Sequence, residues 1–146
     1  MSVQIPVPTE EQRQQYLDSL EEVKKVQLQR NIAVENGKVL QAEYDYKLAK
    51  IKTNDGKIFI LFTMEGCSAC SVVKYITTYD NDIVNELSTY EIIKVENAQT
   101  QLTEKYNIYS YPTYFVIDKD ENVLKRSMGC NALTDPAKHF LLWLKD

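Results

Sequence analysis

Ile58-Phe59-Ile60-Leu61-Phe62-Thr63-Met64-Glu65-Gly66-Cys67-Ser68-Ala69-Cys70 is the stretch on which the fold turns. Its first five residues form an apolar run of strand length, and the pair Cys67 and Cys70 follows where an amphipathic helix opens. A thiol at a helix N-terminus faces unsatisfied backbone N–H groups and the positive end of the helix dipole, which favours its thiolate. The second cysteine, one turn deeper, is spaced to attack a mixed disulfide formed on the first. Two other readings of the spacing stand beside this one. A zinc site needs four ligands, and the chain has only Cys67, Cys70, Cys130 and its single histidine, His139, to offer. Alternatively, both cysteines are small core residues without chemistry.

Working outward, Val72, Val73, Ile76, Ile83, Val84 and Leu87 continue the helical spacing, with Asp80-Asn81-Asp82 as a point where the element can divide. Tyr90 to Val95 reads as a strand and Gln101 to Tyr106 as a short helix with Leu102 and Tyr106 inward. Tyr111-Pro112-Thr113 leads into the apolar strand Tyr114 to Ile117; Asp118 to Asn122 turns the chain, and Val123 to Met128 returns as a hairpin partner. A last helix presents Ala137, Phe140, Leu141 and Leu144 on one face. On the N-terminal side, Thr9-Glu10-Glu11-Gln12 has the form of a capping box opening a long helix that Asn36-Gly37 would close. A second helix, from about Ala42 to Ile51, puts Tyr44, Leu48 and Ile51 on one side. The expected architecture is α/β: a central mixed sheet flanked by helices, plus an N-terminal helix. Residues 1–41 are expected to be a helical extension and residues 42–146 the domain.

The 146 residues, 44% hydrophobic, suffice for one domain with a core and an appendage. A net charge of −4 with interspersed lysines and acids gives no basic stripe for nucleic acid. The start lacks a basic segment followed by an apolar one, and no run of about 18 apolar residues occurs, so no membrane segment and a cytoplasmic location are expected. Three cysteines including a close pair fit catalysis or metal binding in a reducing compartment better than a disulfide framework. No phosphate-binding or dinucleotide glycine spacing is present, and no cofactor is expected. The apolar positions of the first helix only loosely follow one stripe, compatible with a self-associating face or a solvated appendage.

The order strand, Cys67-Ser68-Ala69-Cys70, helix, strand, helix, Tyr111-Pro112-Thr113, hairpin, helix resembles the thioredoxin family from about Ala42 to Asp146. The resemblance implies that Cys67 is the exposed nucleophile, Cys70 the buried resolving thiol and Pro112 a cis-proline opposite the pair. The backbone of Tyr111 would then pair with an extended substrate peptide by strand addition. Met128-Gly129-Cys130 would fall on the apolar strip beside the active site, making Gly129 a substrate contact and Cys130 a possible third redox thiol or an inert loop residue. The chain departs from the family in three places. Leu61 stands six residues before the first cysteine, where thioredoxins bury an acid; Gly66 replaces the usual aromatic; and Ser68-Ala69 lacks the usual proline. Without that acid, deprotonation of Cys70 would rely on water, Glu65 or Lys57.

The activity so implied is thiol–disulfide exchange on protein disulfides, with a separate reductase regenerating the dithiol. The alternative is a binding or assembly module keeping the fold with weak or no redox activity; glutathione-dependent chemistry is a third option. His139 reads as a surface residue. Tyr106, Tyr109, Tyr111 and Tyr114 around Pro112 either line a groove or pack as core rings.

Overall fold

The computed structural model describes residues 6–97, 100–129 and 134–146. The chain divides into two units, residues 1–35 and 36–146. Helix α1 (Glu10–Asn54) begins in the first and ends in the second. It opens on the expected capping box: Gln12 N–H donates to Thr9 Oγ1 (3.1 Å), and Thr9 N–H donates to Gln12 Oε1 (2.9 Å).

The second unit continues with β1 (Ile58–Thr63), α2 (Ser68–Tyr79), α3 (Asn81–Leu87), β2 (Glu91–Glu96), α4 (Gln101–Lys105), β3 (Thr113–Ile117), β4 (Val123–Met128) and α5 (Pro136–Lys145). The sheet order is β2-β1-β3-β4. Strands β1 and β2 run parallel, and the other pairs are antiparallel, which makes the sheet mixed as expected.

β1 is buried along its whole length, and its side chains alternate between the two faces of the sheet. Ile58, Ile60 and Phe62 join Tyr44, Leu48 and Ile51 of α1, with Leu102, Tyr106 and Phe115, on one face. Phe59 and Leu61 join Val73 and Ile76 of α2, Ile83 and Leu87 of α3, and Phe140 and Leu144 of α5 on the other. A continuous apolar run is therefore required at β1, because both of its faces are covered.

Asp80 divides α2 from α3 by serving both. Its backbone N–H donates to Ile76 O, and its carboxylate accepts from Asp82 N–H and Ile83 N–H (3.1 Å each). The break expected at Asp80-Asn81-Asp82 is thus a double cap.

One expectation is corrected. Asn36-Gly37 does not end a helix; α1 runs through it. Gly37 carries helical backbone, and its interior position costs about 1 kcal/mol relative to alanine. The cap signal is overridden downstream, where Leu40, Tyr44, Leu48 and Ile51 are buried at helical spacing.

Tyr44 also anchors this end of α1 by hydrogen bonds. Its hydroxyl lies 2.5 Å from that of Tyr106 and donates to Glu121 Oε1 at 2.6 Å, and Lys105 pairs with the same carboxylate. Burial pushes the Tyr44 phenol up, so it remains a donor. Glu121 is held below the ordinary glutamate value of 4.5, first by Lys105 and then by Tyr44. A depressed folded value stabilises the native state above the unfolded pKa, and that contribution is lost as pH falls through the folded one. Glu121→Gln is therefore expected to flatten the acid limb of the stability profile. Urea titrations from about pH 6 down to about pH 3 check this, with wild type losing more stability over the interval than the variant.

Candidate active site

The site is built where β1 ends. Asn97, just past β2 with φ of 52°, donates its N–H to Thr63 O (3.0 Å) and accepts from Glu65 N–H on Oδ1. One side chain thus ties the end of β2 to the turn that follows β1. Gly66 has φ of 76°. A side chain at this position would be strained in that conformation, which gives a local reason for glycine where the family usually has an aromatic.

Cys67 is the N-cap of α2, with extended backbone (φ −98°, ψ 111°). Its Sγ accepts from Cys70 N–H at 3.1 Å, filling the role ordinarily taken by a serine or aspartate oxygen. Its carbonyl accepts from Ser71 N–H (3.2 Å) and Ser71 Oγ (3.3 Å). The sulfur therefore sits where the first turn presents free amide donors and the dipole is positive. Cys67 is half-buried, whereas Cys70 is 1% exposed. The two are joined as a disulfide with Cα atoms 5.2 Å apart, within the range such a bond requires.

Tyr111 reaches the pair from across the site. Its carbonyl oxygen lies 3.7 Å from Cys67 Sγ, positioned to accept from the S–H in the dithiol form. The Tyr111–Pro112 peptide is cis. Pro112 O accepts from Gly129 N–H (2.9 Å), and Gly129 has φ of 79°. Ser110 Oγ donates to Met128 Sδ (3.2 Å), and Thr113 Oγ1 donates to Ser110 O (2.7 Å). Cys67, Cys70, Tyr111, Pro112 and Gly129 are thus brought together by a chain of polar contacts running from α2 through the loop before β3 to the end of β4. Cys130 lies outside the described residues.

Leu61 is 1% exposed on the face that also carries Val73 and Ile76 of α2, and it pairs across the sheet with Tyr114. No carboxylate occupies that position. His139 is exposed, with Nε2 3.4 Å from Thr134 Oγ1, and lines a cavity of about 400 Å³ with Val73, Ile76, Met128 and Trp143. Tyr106 and Tyr114 are core rings, Tyr111 is half-buried against the core, and Tyr109 is exposed. Among the described residues, no group of three or more His, Cys, Asp or Glu side chains could hold a metal ion. No helix among them is long and apolar enough to cross a membrane.

Asn97, Ser110 and Thr113 escape a reading of the sequence alone. Only Asn97 carries a signal, an asparagine tolerant of positive φ at the end of a strand. The other two act through contacts that depend on the loop conformation.

The disposition of these parts agrees with what the chain is similar to. Residues 44–145 match the model of the thioredoxin-like domain. Thiol:disulfide interchange protein DsbD of Campylobacter jejuni strain RM1221 is 26% identical over 81 residues; the match covers 52% of this chain and 14% of that relative's length. The disulphide isomerase of Xylella fastidiosa Temecula1 superposes with a TM-score of 0.60 at 16% identity, covering 73% of this chain and 91% of that one. The reduced C-terminal domain of DsbD from Neisseria meningitidis does so with a TM-score of 0.59 at 15% identity, covering 72% and 93%. A thioredoxin from Thermus thermophilus gives 0.56 at 19% identity over 70% and 81%. With the family model spanning most of its length, and a helix-capping cysteine pair at the end of the central strand, the chain belongs to the thioredoxin-like domain family.

Proposed function

We propose that the chain is a thiol–disulfide oxidoreductase acting on protein disulfides. The observation that carries this reading is the Cys70 N–H bond to Cys67 Sγ at 3.1 Å, made by a sulfur that is partly open to solvent at the first turn of α2. The same donor that caps the helix stabilises a thiolate. In the dithiol form, the Cys67 thiolate attacks a substrate disulfide; a Cys67–substrate bond forms, and the other substrate sulfur leaves as a thiolate that takes up a proton. Cys70 then loses its proton and attacks Cys67 Sγ. The second substrate thiolate is released, and the Cys67–Cys70 disulfide forms. Two electrons pass from the pair to the substrate, and a separate reductase returns them.

In this reading Tyr111, Pro112 and Gly129 form the substrate-facing backbone, with an extended peptide pairing alongside Tyr111. The Tyr111 carbonyl so near Cys67 Sγ supports it, because a peptide aligned there brings its sulfur to the attacking atom. Cys130, next in sequence to Gly129, is proposed as a third redox thiol. A cytoplasmic location belongs to the same proposal. Alkylation of free thiols in intact cells tests it, with the pair mostly dithiol in a reducing compartment and mostly disulfide in an oxidising one.

One observation favours a second reading, a binding module with weak redox activity: Leu61 leaves Cys70 without the buried acid that would accept its proton. Turnover separates the two. With a small dithiol as reductant, catalytic amounts of the chain are expected to accelerate reduction of a protein disulfide well above the uncatalysed rate. A rate equal to that of the small dithiol alone favours the binding module.

A further inference from the structure

The cavity of about 400 Å³ where α2, the end of β4 and α5 meet is a feature that the exchange reaction leaves unused. Its position follows from the side chains of β4. Successive residues of a strand point to opposite faces, and Lys125 and Ser127 pair across the sheet with Val116 and Tyr114, which places both on the face that α5 covers. Lys125 spans the gap to α5, its Nζ donating to Trp143 O (3.2 Å) and Leu144 O (2.7 Å). Ser127 is too short to do the same, and Gly129, just past the strand, has no side chain. The space they leave is lined by Val73 and Ile76 of α2 and by the rings of Phe140 and Trp143, whose centroids stand 5.8 Å apart.

No Asp, Glu, Lys or Arg is among the described residues that line it; its polar side chains are those of Tyr114, Ser127 and His139. Such surroundings suit an uncharged, mainly apolar occupant, and the volume exceeds the roughly 150 Å³ that holds a benzene molecule. The cavity is also continuous with the reacting pair. Gly129, which lines it, donates its N–H to Pro112 O (2.9 Å), and the carbonyl of the preceding Tyr111 lies 3.7 Å from Cys67 Sγ. Val73, which lines it from α2, is one helical turn beyond Cys70. A peptide pairing alongside Tyr111 would draw affinity from its main chain and specificity from pockets for individual side chains.

Resting on the oxidoreductase reading, we propose that this cavity is a specificity pocket: it takes an aromatic or large aliphatic side chain of the substrate polypeptide, from a residue close to the cysteine under attack, and Ser127 keeps it open. The substrate polypeptide is favoured over a free small molecule or a second copy of the chain, because it is the occupant that the exchange reaction itself brings to Gly129.

Trp143 is the only tryptophan of the chain, so its fluorescence reports on the pocket directly. The probes are short, tryptophan-free peptide disulfides with Phe, Leu, Ala or Glu scanned through the positions flanking one cysteine, together with counterparts in which serine replaces cysteine, which bind without reacting. At the best position, Phe or Leu is expected to raise kcat/KM by about tenfold or more over Ala and Glu, and the matching serine peptides to shift Trp143 emission saturably where the Ala and Glu peptides do not. Ser127→Leu fills the space from β4 and is expected to bring the Phe-to-Ala ratio of kcat/KM to within about twofold of unity. The comparison of peptides on wild type does not depend on that variant folding. No turnover of any peptide disulfide would strike the oxidoreductase reading, and the serine peptides would still decide the pocket. Equal kcat/KM for all four residues, or an undiminished ratio in a Ser127→Leu variant of unchanged circular dichroism, would overturn the pocket. So would a Trp143 response to benzyl alcohol without one to the Phe peptides, or a response to dilution of the chain alone, which would assign the cavity to a free small molecule or to a second copy.

Discussion

Cys67→Ser is expected to lower the rate of protein-disulfide reduction by at least about a thousandfold, to the level of the reductant alone. Serine keeps the size and N-capping geometry of the position, so α2 should begin in the same place and the fold should be retained. What disappears is the nucleophile, because a serine hydroxyl is not ionised near neutral pH by one amide donor and a helix dipole. Cys70 is a poor substitute, being 1% exposed and set one turn behind the surface. Rates measured under a fixed dithiol concentration, with circular dichroism confirming an unchanged fold, check the prediction. Turnover within a few-fold of wild type would remove Cys67 from the reaction.

Phe59→Ala is expected to have the largest effect on stability, about 3–5 kcal/mol. Phe59 is 0% exposed on β1 and meets Tyr114, Phe140 and Trp143, with ring centroids 6.2, 5.8 and 6.4 Å away. It packs the central strand against α5, in the same cluster as Leu61, Tyr114 and Val116. Truncation removes the apolar area it buries and leaves a void that the rigid strand on one side and the helix on the other cannot close completely. Set against the roughly 5–15 kcal/mol that stabilises an ordinary domain, this is a substantial fraction of the whole. The corresponding fall in Tm is on the order of 10–20 °C, measurable by thermal denaturation. Glu121→Gln, at the edge of the opposite face, instead removes a contribution present near neutral pH and lost in acid, so it changes the pH dependence of stability. Together the two variants distinguish packing from charge as the source of stability.

The sheet was legible because its strands obey rules that a single sequence displays. β1 reads as a strand since an element covered on both faces must be apolar throughout, and the hairpin of β3 and β4 is marked by the polar turn Asp118 to Asn122 between its arms. The cysteine pair was legible for a similar reason: its spacing and its place at the start of a helix are local properties. What could not be read locally depends on long-range packing. Gly37 carries the signature of a helix end, yet burial of Leu40, Tyr44, Leu48 and Ile51 carries α1 through it. The clamp made by Asn97 joins residues far apart in sequence, as does the Gly129 bond to Pro112 O. Gly66 could be recognised as a departure from the family pattern, but its reason, a positive φ in the turn before Cys67, needed the backbone itself.

The central claim is that Cys67 attacks and Cys70 resolves. It is tested most directly by incubating reduced Cys70→Ser with a disulfide-containing protein and mapping the covalent complex by mass spectrometry under non-reducing conditions. The account predicts a stable mixed disulfide through Cys67, which wild type would resolve. A complex linked through Cys130 instead, or no complex at all, would contradict it.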